Sequence, residues 1–175
     1  MNTTAETTIP AQDSPTDSHP GRRPWRHYSV DINLKDEWLE ALNSLTVFDL
    51  TSICEGHPSK ADNAGSKEGH VTLMLRWEFT AATVQYYERR FGVLQQYLGE
   101  SFRPNSNCVD CDLSTEFRLF ERTSHVCRKM FVRFSANRLL RVCRPAPEVE
   151  AWFEGVIADA RVLDVAFHHL LTEGR

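Results

Sequence analysis

VFDLTSICEGHP (47–58) and HVTLMLRW (70–77) are the two stretches on which the fold turns. β-branched and apolar residues crowd Val47 to Cys54, and the run stops at Glu55-Gly56-His57-Pro58, where a glycine and a proline end an extended segment in a turn. The intervening PSKADNAGSKEG (58–69) has loop composition throughout. Apolar character then returns at alternate positions, Val71, Leu73 and Leu75, the period of a strand with one buried face. The pair predicts a hairpin with a long loop.

Working outward, Tyr28, Val30 and Ile32 alternate with polar residues and predict a strand over 28–33. Asn33 is placed to cap a following helix with Asp36 and Glu37 in its first turn; Trp38, Leu39, Leu42 and Leu45 share one face of that helix, which ends near Thr46. Downstream of the hairpin, from Thr80, Val84, Tyr87, Phe91, Leu94 and Leu98 recur at steps of three and four, a second helix. RPNSNCVDCD (103–112) reads as a polar turn region. Thr115 to Arg122 and Lys129 to Phe134 then alternate like strands around a turn near Ser124. Pro145 and Pro147 open a last, long helix with Val149, Trp152, Phe153, Val156, Ile157, Ala160, Leu163, Phe167 and Leu170 as its apolar positions. The order β-α-β-β-α-β-β-α predicts an α+β fold, a mostly antiparallel sheet of about five strands with three helices, ferredoxin-like or related.

The 175 residues suit one domain, and a 41% hydrophobic share is enough for a core. Residues 1–24, rich in Thr, Ser, Asp, Pro and Ala, hold little to bury and predict a disordered arm ahead of a single domain over 25–175; Arg22, Arg23 and Arg26 around Trp25 mark its edge. A net charge of −4 gives no overall attraction to nucleic acid or anionic lipid. No apolar run is long enough for a membrane span and the first residues lack a secretory pattern, so the expected location is the cytoplasm. Five cysteines, an odd number, suit thiols, metal ligands or core packing better than a disulfide framework.

The chemistry-bearing stretch is the turn at Cys54-Glu55-Gly56-His57, which sets a thiol, a carboxylate and an imidazole at a strand end. One reading pairs Cys54 and His57 with the C-x-x-C of Cys108 and Cys111 as a four-ligand zinc site, with zinc the cofactor. A second makes Cys54 a nucleophile or redox thiol activated by His57, with Glu55 or His70 as acid or base; His70 opens the next strand and can lie across the hairpin from Cys54. A third leaves Cys54 in the core and His57 as a turn residue. A second cluster is basic: Arg118, Arg122, Lys129 and Arg133 on two alternating strands, with Phe120 beside the first pair, form a sheet surface that could hold phosphates or RNA. The alternative is a solvated face paired with acids such as Glu148, Glu150, Glu154 and Asp159. His168 and His169 are a minor candidate metal pair that helix-end charge also explains.

Thr51-Ser52-Ile53-Cys54-Glu55-Gly56-His57 resembles the Thr-x-Ser-Ser-Cys-Ser-Gly-Arg stretch of wybutosine-pathway tRNA methyltransferases, with Ser52, Cys54 and Gly56 as the matching positions. It also resembles the Ser-Cys-x-Gly-His turn of small bacterial and phage proteins, a likeness that implies no activity. The first resemblance implies RNA modification. Ile53, Glu55 and His57 depart from its pattern at the substrate-contacting positions. No P-loop, G-x-G-x-x-G, H-E-x-x-H or G-x-S-x-G occurs, which disfavours the enzyme classes they mark. The sequence thus points first to a small binding or accessory protein that engages an anionic ligand, RNA or a protein partner, and second to an enzyme built on the Cys54 turn.

Overall fold

A computed structural model describes residues 21–56, 69–76, 84–104, 110–119, 126–136 and 146–172. The elements are β1 (Arg22–Trp25), β2 (Tyr28–Asp31), α1 (Asp36–Asn43), β3 (Phe48–Cys54), β4 (His70–Leu75), α2 (Val84–Gln96) running into a π-helical turn (Tyr97–Ser101), β5 (Asp110–Leu119), β6 (Val126–Ser135) and α3 (Ala146–Thr172). The α+β class, the three helices and the two hairpins match the expected layout. The long-looped pairing of β3 with β4 is antiparallel, with Phe48 opposite Leu75 and Cys54 opposite His70.

Among the described residues six strands form two sheets: β1-β2 alone, and β3-β4-β6-β5. No ferredoxin-like layout is identified: in the order β3-β4-β6-β5 only the consecutive strands β4 and β5 flank an inserted strand, β6, whereas that fold interleaves two such split β-α-β units. The first predicted strand pairs instead with Arg22–Trp25, so residues 22–24 belong to the folded domain and not to the arm. Arg26, with φ 52, makes the left-handed turn between β1 and β2; its guanidinium lies over the Trp25 ring and pairs with Glu40. Residues 1–20, and the expected turn near Ser124, lie outside the described residues.

Alternation in β2 fails at its end. Ile32 is exposed and Asp31 buried, because the strand stops at Asp31 and a turn, Leu34 N–H to Asp31 O, brings Leu34 into the core instead. Asn33 does not cap α1, whose N-cap is Lys35; its side-chain amide is committed elsewhere.

One face of the four-stranded sheet is apolar. Phe48, Leu50, Val71, Leu73, Leu75, Met130, Val132 and Phe134 are all buried there, and Trp38, Leu39 and Leu42 of α1 and the inner stripe of α3 join the same core. Phe153 of α3, fully buried, stacks on Trp38 at 4.7 Å and meets Trp152 edge-on at 4.8 Å, while Phe167 packs against Phe48 at 5.2 Å. Burying an aromatic ring of this kind stabilises by about 2–3 kcal/mol.

α3 is also pinned by a carboxylate. Asp164 accepts the N–H of Thr46 and the Thr46 hydroxyl on Oδ2, and the N–H of Val47 on Oδ1, at 2.7–2.8 Å. These backbone donors lie just before β3 and have no strand partner. A buried carboxylate saturated with donors is worth more than an ordinary hydrogen bond, and removing it strands the donors it served. Asp164→Ala is therefore expected to destabilise by about 3 kcal/mol in urea titration, and Phe153→Ala by about 3–5 kcal/mol. Thr46→Val, which removes the hydroxyl and keeps the amide, should cost about 1 kcal/mol.

Candidate functional site

β3 carries a bulge between Leu50 and Ser52. Strand neighbours alternate faces, so a one-residue insertion reverses the phase of the residues beyond it. Phe48 and Leu50 enter the core, whereas Ser52 pairs with Thr72 and turns to solvent. Thr51, the inserted residue, donates its hydroxyl to the Thr72 carbonyl at 3.0 Å. Past the bulge, Cys54 falls on the side away from the helices, directly opposite His70.

Cys54 is nevertheless buried, because the end of β2 closes over this part of β3. The Glu55 N–H donates to Asp31 Oδ2 at 3.1 Å, and the Asn33 amide donates to Glu55 Oε1 at 3.0 Å. Asp31 and Glu55 are 2% and 0% exposed and Asn33, itself exposed, reaches in to Glu55, so this polar node ties the β1-β2 hairpin to the sheet. Gly56 continues it at φ 82, a left-handed conformation suited to glycine, and its N–H donates to Cys54 Sγ at 3.4 Å. Burial pushes the Cys54 thiol up from 9.0 to about 11; the Gly56 N–H offsets this in part, and the negative charges of Asp31 and Glu55 add to it. At neutral pH such a thiol is protonated, unlike the low-pKa thiolates of reactive cysteines. The geometry thus favours the core-packing reading of Cys54, and Glu55 is shut off from any substrate in solution.

His70 lies across the hairpin from Cys54, where the sequence placed it, yet its ring engages a different group: Nε2 is 2.8 Å from Ser52 Oγ. Ser52 is exposed and His70 half-buried. A hydroxyl within hydrogen-bond reach of an imidazole is the arrangement of a base-activated nucleophile. Ser52 also lines a shallow cleft of about 110 Å³ between β2 and β3, with Arg22, Tyr28, Ser29 and Thr51. Motif and spacing assign Ser52 no chemical role; its signal is the diagonal position, two residues back from the one opposite His70.

Two of the four predicted zinc ligands, Cys54 and Cys111, stand apart. His57 and Cys108 lie outside the described residues, but Cys54 is on β3 and Cys111 on β5, the two edges of the sheet. Three interstrand spacings, about 14 Å, separate those edges, whereas zinc holds each sulfur at about 2.3 Å. The register also puts Cys111 in the row of Phe134, Val71 and Ile53, one step out of phase with Cys54. Among the described residues no group of three or more His, Cys, Asp or Glu is disposed to hold a metal ion. His168 and His169 are both exposed near the end of α3.

The basic hairpin forms, with strands longer than expected, but its charge is interleaved. Lys129 registers directly opposite Glu116, Arg118 opposite Cys127, and Arg133 between Thr72 on one side and Asp112 on the other. Acids thus hold the register positions opposite Lys129 and Arg133, while Arg118 has Cys127 opposite it. Phe120 and Arg122 lie outside the described residues. Between β4 and β6, on the face away from the helices, stand His70, Thr72, Met74, Phe131 and the exposed Arg133; all but Arg133 are half-buried, and Met74 is directly opposite Phe131.

Compared with family profiles, curated proteins and solved structures, the chain shows no significant match to any.

Two outcomes are expected for Cys54. Peptide mapping after brief iodoacetamide treatment at pH 7.5 should find it unmodified in the native protein and modified once urea is added. Folding keeps this thiol protonated from pH 9.0 to about 11, an interval in which the thiol of the unfolded chain has ionised. Its contribution to stability is complete below pH 9 and is lost as pH rises through about 11. Urea midpoints should fall more steeply over that range for the parent protein than for Cys54→Ala.

Proposed function

We propose that this protein is a binding domain that docks a protein partner on the face of its four-stranded sheet that no described helix covers. The observation that carries this reading is the Met74–Phe131 pair, two apolar side chains directly opposite each other on the inner strands, half-exposed on the side away from the helices. The water-facing side of an antiparallel sheet ordinarily alternates to polar residues. Aromatic residues, methionine and arginine are the residue types enriched where proteins meet, and Phe131, Met74 and Arg133 adjoin one another here. Thr72, His70 and Ser52 add hydrogen-bonding groups around them.

A protein partner is favoured over RNA or a small anion by the interleaved charges. Two of the hairpin's cations, Lys129 and Arg133, hold register positions opposite acids, Glu116 and Asp112, which counts against a polyanion as the partner. No described helix is long and apolar enough to cross a membrane.

A second reading rests on the 2.8 Å contact between Ser52 and His70, the geometry of a serine nucleophile with its base. It inherits His70 from the enzyme hypothesis and replaces Cys54 with Ser52.

One comparison separates these readings. Immobilised parent protein and the double variant Phe131→Ala/Arg133→Ala, matched by circular dichroism, are exposed to source extract. A protein retained by the parent, recovered again with purified components and lost with the variant, is the expected result. RNA recovered after ultraviolet cross-linking and lost with the same variant would shift the assignment to nucleic acid. Labelling of Ser52 by a fluorophosphonate, abolished in His70→Ala, would shift it to a hydrolase.

A further inference from the structure

α3 carries on its outer side a set of residues unusual for a helix in water. Ala151, Gly155, Ala158, Val162 and Val165 recur at steps of four, three, four and three, which places them along one face. That face is opposite the buried stripe of Phe153, Val156, Ala160, Leu163 and Phe167. Ala151 and Ala158 are exposed, Gly155 is half-buried, Val162 is 46% exposed and Val165 72%. A helix with one face in a core ordinarily presents charged and polar residues on the other. Single exposed valines need no explanation, but five small or apolar residues in line form a seam about 21 Å long.

Charges along its border indicate what covers this seam. Glu154 and Arg161 flank it on the side facing α1; both are exposed, and neither forms an ion pair with any described residue. They are one heptad apart, about 10 Å along the axis. A face bearing an acid and a base at such a separation is complementary to itself under a two-fold axis, the symmetry of most dimers. Turned antiparallel, a second α3 brings its Arg161 to Glu154 and its Glu154 to Arg161. The same register sets Gly155 against Ala158 and Ala151 against Val162 of the other copy. Small residues at the crossing allow the axes to approach to about 8 Å.

The neighbouring surface has the same balance. A groove of about 400 Å³ between α1 and α3 runs beside the seam, with Lys35 and Arg161 matched by Glu37 and Glu154, and Ala41 and Ala158 among its lining. The chain as a whole carries −4, yet this strip has equal numbers of acids and bases and does not repel its own copy.

We propose that α3 is the interface of an antiparallel homodimer, with reciprocal Glu154–Arg161 pairs flanking a seam of Ala151, Gly155, Ala158 and Val162. This surface is separate from the sheet face, so dimerisation and partner docking fail independently.

The test is sedimentation velocity of the full chain over a concentration series, with Glu154→Arg and Arg161→Glu made separately. The parent protein should dimerise reversibly. Each single variant sets like charges against each other at both pairs and should weaken the dimer on the order of ten-fold or more. An equimolar mixture of the two variants recreates two opposite-charge pairs and should recover dimer, as a mixed species. Val162→Glu should weaken the dimer without recovery in any such mixture. A parent protein that stays monomeric up to its solubility limit overturns the proposal, as do single variants that dimerise like the parent. A dimer that both variants disrupt and their mixture fails to restore overturns the antiparallel pairing. Thermal melts of each variant confirm that these exposed substitutions leave the fold intact.

Discussion

The contact on which much else depends is the one between Asp164 and the backbone just ahead of β3. A carboxylate in the last helix holds the amides of Thr46 and Val47, residues more than a hundred positions nearer the start of the chain. By fixing where β3 begins it fixes the phase of that strand, sending Phe48 and Leu50 inward against Phe167 and the rest of α3. Because side chains on a strand alternate, a slip of one residue at this point would turn the core-forming residues to water. Here a buried charge specifies the arrangement as well as stabilising it. The anionic site is filled by backbone donors that would otherwise be unsatisfied at the strand's start.

The bulge at Thr51 then reverses that phase within the same strand. Without it, Phe48, Leu50, Ser52 and Cys54 would all share the core face; with it, Ser52 reaches solvent beside His70. Cys54 ends up opposite His70 as well, but under the closing end of β2, where Asp31, Glu55 and Gly56 are buried and the exposed Asn33 hydrogen-bonds to Glu55. Two adjacent stretches of one strand therefore have opposite characters: one an open hydroxyl–imidazole pair, the other a closed, protonated thiol. Of that turn's residues, Glu55 joins the small hairpin to the large sheet through Asp31 and Asn33.

Among the described residues the helices cover one side of the large sheet. The helices and the β1-β2 hairpin account for the core side and for one corner, while Met74, Phe131 and Arg133 stay accessible. The outer face of α3 repeats the situation on the opposite side of the molecule, with Val162 and Val165 in water. In both places apolar groups remain in contact with solvent, where burial against another surface would be favourable. Docking on the sheet and pairing through α3 are the two proposals that start from this.

What the amino-acid order determined unaided was the set of elements whose apolar periodicity is strong: the β3-β4 pair, the helix through Leu94, the second hairpin and the long helix from Ala146. Such periodicity is local, and a strand or helix with one apolar face states its own geometry. Tertiary structure alone decided that Arg22–Trp25 pairs with Tyr28–Asp31, that β6 lies beside β4 and so carries Cys111 to the far edge from Cys54, and that acids register against Lys129 and Arg133. The bulge, the burial of Asp31 and Glu55, and the reach of Asp164 to Thr46 belong to the same group. Each depends on partners far away in the chain. A residue's type and its near neighbours carry no record of which distant strand will lie beside it, and it is that neighbour that sets its charge environment, its exposure and its chemistry.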